Sequence, residues 1–133
     1  PDYLAAIGNL VELRWQQQRF DDSEALIERY RRISGDDLGC DLALAASYAL
    51  AGKGLARETL EKAESRPNPG HLFESMRVVA YIGLGDTDKA VRLIQDEYGR
   101  GADWLEGIIY DRNYAPVRND PRVIEILRKL KDN

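Results

Sequence analysis

Breaks in an otherwise helical pattern recur at a near-constant interval, and that interval limits what this chain can fold into more than any other feature. Strong breakers stand at Gly35, at Pro67-Asn68-Pro69-Gly70 and at Gly99-Arg100-Gly101, about 33 residues apart. A weaker break divides each interval, at Gln18-Arg19, Gly52-Lys53-Gly54 and Gly85-Asp86. Gln18 to Gly52 is 34 positions and Gly52 to Gly85 is 33. An interval of this size holds two helices, each of roughly 12 to 16 residues, joined by a tight turn.

The residues inside each interval agree with this reading. Tyr48 and Tyr81 each stand four residues ahead of a turn glycine, in Tyr48-Ala49-Leu50-Ala51-Gly52 and Tyr81-Ile82-Gly83-Leu84-Gly85. Slim residues precede them (Ala45 and Ala46; Val79 and Ala80), which lets two helices approach closely. After the turns, apolar residues recur at helical spacing: Leu26, Ile27, Tyr30 and Ile33; Ala56, Leu60 and Ala63; Ala90, Leu93, Ile94 and Tyr98. Asp21 with Glu24 forms a D-x-x-E capping arrangement, and Asp86 or Thr87 is placed to cap the helix after the third turn. No stretch sustains the period-two alternation of a strand.

The 34-residue spacing, the Tyr-x-x-x-Gly before a turn, and Gly85-Asp86-Thr87-Asp88-Lys89-Ala90 together resemble the tetratricopeptide repeat, in which an alanine follows the turn glycine by five residues. The tail from Asp103-Trp104-Leu105 through Tyr114-Ala115-Pro116-Val117-Arg118-Asn119-Asp120-Pro121-Arg122 resembles the terminal segment of such domains in bacterial regulators, winged-helix activators and cyclase-like proteins among them. The resemblance spans nearly the whole chain. It implies an all-α, right-handed superhelical stack: one domain over 1–133, with repeats at about 2–34, 38–66 and 70–98 and a cap at 102–131.

It also implies a role and a surface. The expected role is a scaffold or adaptor that binds a partner protein segment, with self-association included. The alternative is a sensor, effector or oligomerisation domain of a larger bacterial regulator. In such stacks the first helix of each unit lines a concave groove. The matching positions are Glu12 and Trp15 (with Gly8 and Gln16), Leu42, Ala46 and Ala49 (with Leu50), and Leu72, Ser75, Val79 and Ile82. The family's chaperone-binding version grips a peptide carboxylate with lysines and asparagines. Gly8, Glu12 and Ala46 stand there instead, which argues against that mechanism. An apolar groove suits an amphipathic or extended hydrophobic segment, with Trp15 as an anchor. The competing reading is that several of these side chains pack between helices.

The sequence departs from the pattern in places. Gln18 stands where the first turn glycine belongs and Arg14 where the aromatic belongs, with Trp15 beside it. In the second unit Ala56 comes one step early and Arg57 holds the alanine position, so that turn is expected to be a residue shorter. Trp104, Leu105, Ile108 and Ile109 suggest a short helix. Asp120-Pro121 reads as an N-cap followed by proline in the first turn, leading into a helix with Val123, Ile124, Leu127 and Leu130 on one face. This segment is expected to cover the open end of the stack.

Catalytic chemistry finds little to work with, and no enzymatic activity, cofactor or metal is expected. His71 is the single histidine, which excludes a histidine-based triad or a multi-histidine metal site. Gly52-Lys53-Gly54 lacks the leading glycine and trailing Ser/Thr of a phosphate loop, and the acidic pairs fall at helix ends, where capping explains them. The net charge of −4 argues against nucleic acid as the main partner, and no apolar run reaches the roughly 20 residues of a membrane span. Cys40, alone in an apolar pattern, is expected to be a buried, inert thiol compatible with a cytoplasmic setting; the periplasmic part of a membrane-anchored protein is the alternative. Starting at Pro1 without an initiator methionine, the chain is expected to be part of something longer.

Overall fold

The computed structural model describes residues 2–132; Pro1 and Asn133, the ends of the expected domain, lie outside the described residues. Among those residues the structure is all-helical, without a strand. The helices are α1 (Asp2–Gln16), α2 (Phe20–Ser34), α3 (Asp37–Leu50), α4 (Leu55–Glu64), α5 (Glu74–Gly83), α6 (Thr87–Gly99), the single turn α7 (Ala115–Arg118) and α8 (Pro121–Asp132). Two 3-10 segments, Trp104–Ile109 and Arg112–Tyr114, lie between α6 and α7. None of the described helices is long and apolar enough to cross a membrane.

The first six helices pair as α1–α2, α3–α4 and α5–α6, and each pair is closed by the same turn. In the second, the Gly52 N–H reaches the Ala49 carbonyl at 3.1 Å and the Lys53 N–H reaches the Tyr48 carbonyl at 2.8 Å. The third repeats this with Gly85 on Ile82 at 3.0 Å and Asp86 on Tyr81 at 2.9 Å. This two-bond closure needs a left-handed residue just past the helix, and Gly52 and Gly85 supply it at φ 72° and 82°. The tyrosine-to-glycine spacing thus reflects turn geometry: the tyrosine carbonyl accepts the bond that spans five residues, from the residue after the glycine.

The first pair makes the identical closure without a glycine. Gln18 donates to Trp15 at 3.0 Å and Arg19 to Arg14 at 2.8 Å, with Gln18 forced to φ 58°. A residue with a Cβ costs roughly 1–2 kcal/mol there, partly offset in glycine by the larger entropy it loses on folding. Gln18→Gly is therefore expected to stabilise the fold by about 0.5–1 kcal/mol, read as a rise in thermal midpoint by circular dichroism. A fall would mean that Gln18 is not left-handed.

Several local expectations are met. Asp86 caps α6, accepting the Lys89 N–H at 3.2 Å, and Asp120 accepts the Arg122 N–H at 2.9 Å at the start of α8. Ala56 is buried and Arg57 exposed, as the early alanine requires, but the second turn is not shorter: residues 51–54 separate α3 from α4, whereas residues 84–86 separate α5 from α6. Two further expectations need correction. Asp21 and Glu24 do not cap α2, which already begins at Phe20; both carboxylates hold the Lys53 ammonium instead, at 3.3 and 2.7 Å. On α8 the buried face is Val123 and Ile126, with Leu127 and Leu130 half-buried, while Ile124 is exposed. That face packs on α6.

Central in the fold, α3 packs against α2, α4 and most extensively α5. Its alanines and the α5 residues Val78, Val79 and Ala80 are almost fully buried. The two backbones come close where Gly83 meets Ala49; a Cβ on Gly83 would lie 2.7 Å from the Ala49 carbonyl carbon. A buried polar relay ties α1 and α2 to the same helix. Trp15 Nε1 donates to Ser47 Oγ at 2.7 Å, the Ser47 and Ser23 hydroxyls meet at 3.2 Å, and Ser23 donates to the Phe20 carbonyl at 2.8 Å.

Candidate functional site

Helix α1 borders both an open apolar crevice and a stretch that the chain itself covers. Its residues Gly8, Val11, Glu12, Trp15 and Gln16 follow one another at three- and four-residue steps, so they share a stripe. At its N-terminal end the stripe borders a small apolar crevice of about 100 Å³. Gly8 and Val11 form one wall, Ile27 and Tyr30 of α2 another, Cys40 and Ala43 of α3 the floor, and Phe73 and Met76 the far side. That volume suits one aliphatic side chain, and it is smaller than the roughly 150 Å³ apolar cavity that admits benzene.

The local backbone is bent to make this wall. His71 and Phe73, neither a glycine, are left-handed at φ 51° and 61°, and the connection before α5 swings the Phe73 ring onto Gly39. A Cβ on Gly39 would meet that ring at 2.9 Å, so glycine is what lets the aromatic lie flat against α3. Strained non-glycine residues of this kind cost of order 1–3 kcal/mol each and persist where the surroundings hold them. Cys40 Sγ lies 3.8 Å from the Ile27 carbonyl, and burial pushes its pKa up to about 11, so the thiol stays protonated at neutral pH.

Farther along the stripe the trough is filled by the chain itself. The 3-10 segment Arg112–Tyr114 touches both α1 and α5. Gln16 donates to Asp111 Oδ1 at 2.5 Å, and Arg112 donates to the Gln16 carbonyl at 3.2 Å. Tyr114 is buried and stacks on Trp104 with ring centroids 5.9 Å apart. Trp104 in turn donates to Glu97 at 2.9 Å, and Arg118 clamps the loop by donating to the Ile108 and Asp111 carbonyls at 2.9 and 2.6 Å. Residues 111–114 form a strap across the trough. Solvent reaches Glu12 beside it, yet partial desolvation and the Asp111 carboxylate raise its pKa above the usual glutamate value.

These positions correct the expected groove. Trp15, Leu42, Ala46, Ala49, Val79 and Ile82 are all buried and pack between helices; Leu42 is 1% exposed and Ala46 0%. Slim side chains bring α3 and α5 so close that the residues between them have no open face. Glu12 and Leu72 are exposed and Ser75 is half-buried. The open crevice is instead rimmed by the half-buried Gly8, Tyr30, Phe73 and Met76, with the buried Val11, Ile27 and Ala43 beneath them.

A second, polar recess of about 230 Å³ lies on the other side of α3, among Arg66, Asn68, His71, Glu74 and Arg77. Its cations are already neutralised. Arg77 holds Glu64 and Glu74, each at 2.6 Å, and Arg66 holds Asp41 at 2.6 Å. Tyr81 donates to Glu64 at 2.7 Å, and burial with that carboxylate pushes the phenol up to about 12. His71 is exposed. Among the described residues no three His, Cys, Asp or Glu side chains gather as a metal site.

Comparison with protein families, with curated proteins and with solved structures finds no match for this chain.

Proposed function

We propose that this chain is a helical-repeat interaction module of the tetratricopeptide type, and that it binds a segment of a partner protein rather than catalysing a reaction. The observation that carries the reading is the shared stripe on α1. One end lines an open apolar crevice, while the other is already bridged by a polypeptide strap. A trough that accepts the chain's own residues 111–114 offers the same backbone and side-chain features to a segment entering from the open end. The size of the crevice suits one apolar anchor, an aliphatic side chain set among Val11, Ile27, Ala43 and Met76. Support for the repeat comes from the three turns closed by the same pair of bonds at 33- and 34-residue intervals.

Gly8 provides the test. A Cβ built there meets nothing within 4 Å, and the residue borders the crevice from inside α1. Gly8→Leu is expected to fill the crevice and, by removing a mid-helix glycine, to raise stability by up to about 1 kcal/mol. A peptide selected on the parent chain from a random library is expected to lose at least about tenfold in affinity for this variant, the 1.4 kcal/mol equivalent of one displaced apolar anchor. Equal affinity for parent and variant would remove the crevice from the binding surface.

A further inference from the structure

The outer groove between α1 and α2 faces away from the crevice and carries a different chemistry. Arg14 and Arg19 stand at its turn end, Arg29 and Arg32 at the other, and Leu10, Ala25 and Leu26 lie between them. Arg19 is paired with Asp22 at 2.5 Å. Within residues 3–132 the other three arginines have no carboxylate partner: Arg14 donates to the neutral Gln17, and the Arg29 guanidinium sits over the Tyr3 ring at 5.1 Å. Three cations that no carboxylate of residues 3–132 neutralises, set around an apolar floor, stand out in a chain of net charge −4.

We infer that this groove binds a short acidic segment of a partner protein, with carboxylates at both ends and an apolar residue at its centre. The spacing fixes its length. Asp22 and Arg32, ten residues apart on α2, are separated by about 15 Å along the helix, so the occupant is about ten residues if helical. Planar guanidinium groups at each end grip carboxylates in bidentate fashion, and Leu10 with Leu26 receives the apolar middle. A nucleic-acid backbone, which has no apolar side chain to seat between Leu10 and Leu26, would leave that floor unused.

The probe is a synthetic helical peptide with glutamates about ten residues apart and leucines midway between them, followed by fluorescence anisotropy. Saturable binding that weakens with salt is expected, reduced about tenfold or more in Arg14→Glu/Arg32→Glu and unchanged in Gly8→Leu. All three arginines are at least partly exposed, so helicity by circular dichroism should match the parent in the double variant. The inference is overturned if a lysine-ended control peptide binds equally well, or if no saturable binding occurs. It is equally overturned if phosphatidylserine vesicles or a DNA duplex, and not the peptide, show the arginine-dependent binding. Loss of peptide binding in Gly8→Leu would instead assign the peptide to the crevice and sink this groove.

Discussion

Gly83→Ala is expected to destabilise the fold by about 1–3 kcal/mol, whereas Gly8→Ala, the same substitution in another helix, is expected to stabilise it by up to about 1 kcal/mol. Both replace a helical glycine and both gain helix propensity. The difference is what the new methyl meets. At Gly83 it would lie 2.7 Å from both the Ala49 carbonyl carbon and the Ala49 Cβ and 2.9 Å from the Leu50 nitrogen. These are mostly backbone atoms of α3, which no rotamer change can move aside. The two helices must separate, and that loosens the contact among Ala46, Ala49, Val79 and Ile82, all buried. At Gly8 the methyl meets nothing. For a 133-residue chain the Gly83 loss corresponds to a midpoint lowered by several degrees up to on the order of 10 °C. Thermal melts of the two variants side by side decide it. Equal shifts of the same sign would show that α3 and α5 do not touch backbone to backbone at that point.

The closeness of α3 and α5 also explains which parts of the molecule the sequence discloses. Turns were legible because their chemistry is local. A left-handed residue four positions after a tyrosine whose carbonyl must be capped leaves a glycine in the sequence, as at Gly52 and Gly85. At Gln18 the interval alone placed the turn, since a glutamine gives no sign of the left-handed backbone it is made to adopt. Helix faces were legible as apolar or polar, but not as covered or open. Whether Val79 borders a groove or a neighbouring helix depends on interhelical distance, which is set by pairs such as Gly83 and Ala49 far apart in sequence. The strap was missed for a related reason. Its residues, Asp111 to Tyr114, form a 3-10 turn with no period to read, and their partners Gln16 and Trp104 lie in other segments. One signal was available and unused: Asp41 is the sole charge between Leu38 and Gly52, and a carboxylate inside such a run must find cations.

Those cations make the Asp41 site the second position of large effect. Its side chain is 5% exposed, with Arg31 at 2.7 Å, Arg66 at 2.6 Å and Lys62 at the edge at 4.0 Å. Burial by itself would raise the Asp41 pKa. The hydrogen bond from Arg31 and the ion pair with Arg66 more than offset this and hold it below the ordinary aspartate value of 3.8. Asp41→Ala removes the anion and leaves two guanidinium groups facing one another at the junction of α2, α3 and the end of α4. The expected loss is about 3 kcal/mol, near the lower end for breaking a buried pair, because Arg31 and Arg66 keep 23% and 32% of their side-chain surface and can turn toward solvent. The pH dependence separates the ion pair from simple packing. A carboxylate with a depressed native pKa binds fewer protons folded than unfolded, so its stabilisation is present above about pH 4 and is lost as the pH falls through the native value. Denaturant melts of the parent and of the near-isosteric Asp41→Asn should therefore differ most at neutral pH and converge in the acid range below pH 4. A difference that stays constant down to pH 2 would mean that Asp41 acts through its shape, and that its charge does not hold α2 and α4 to α3.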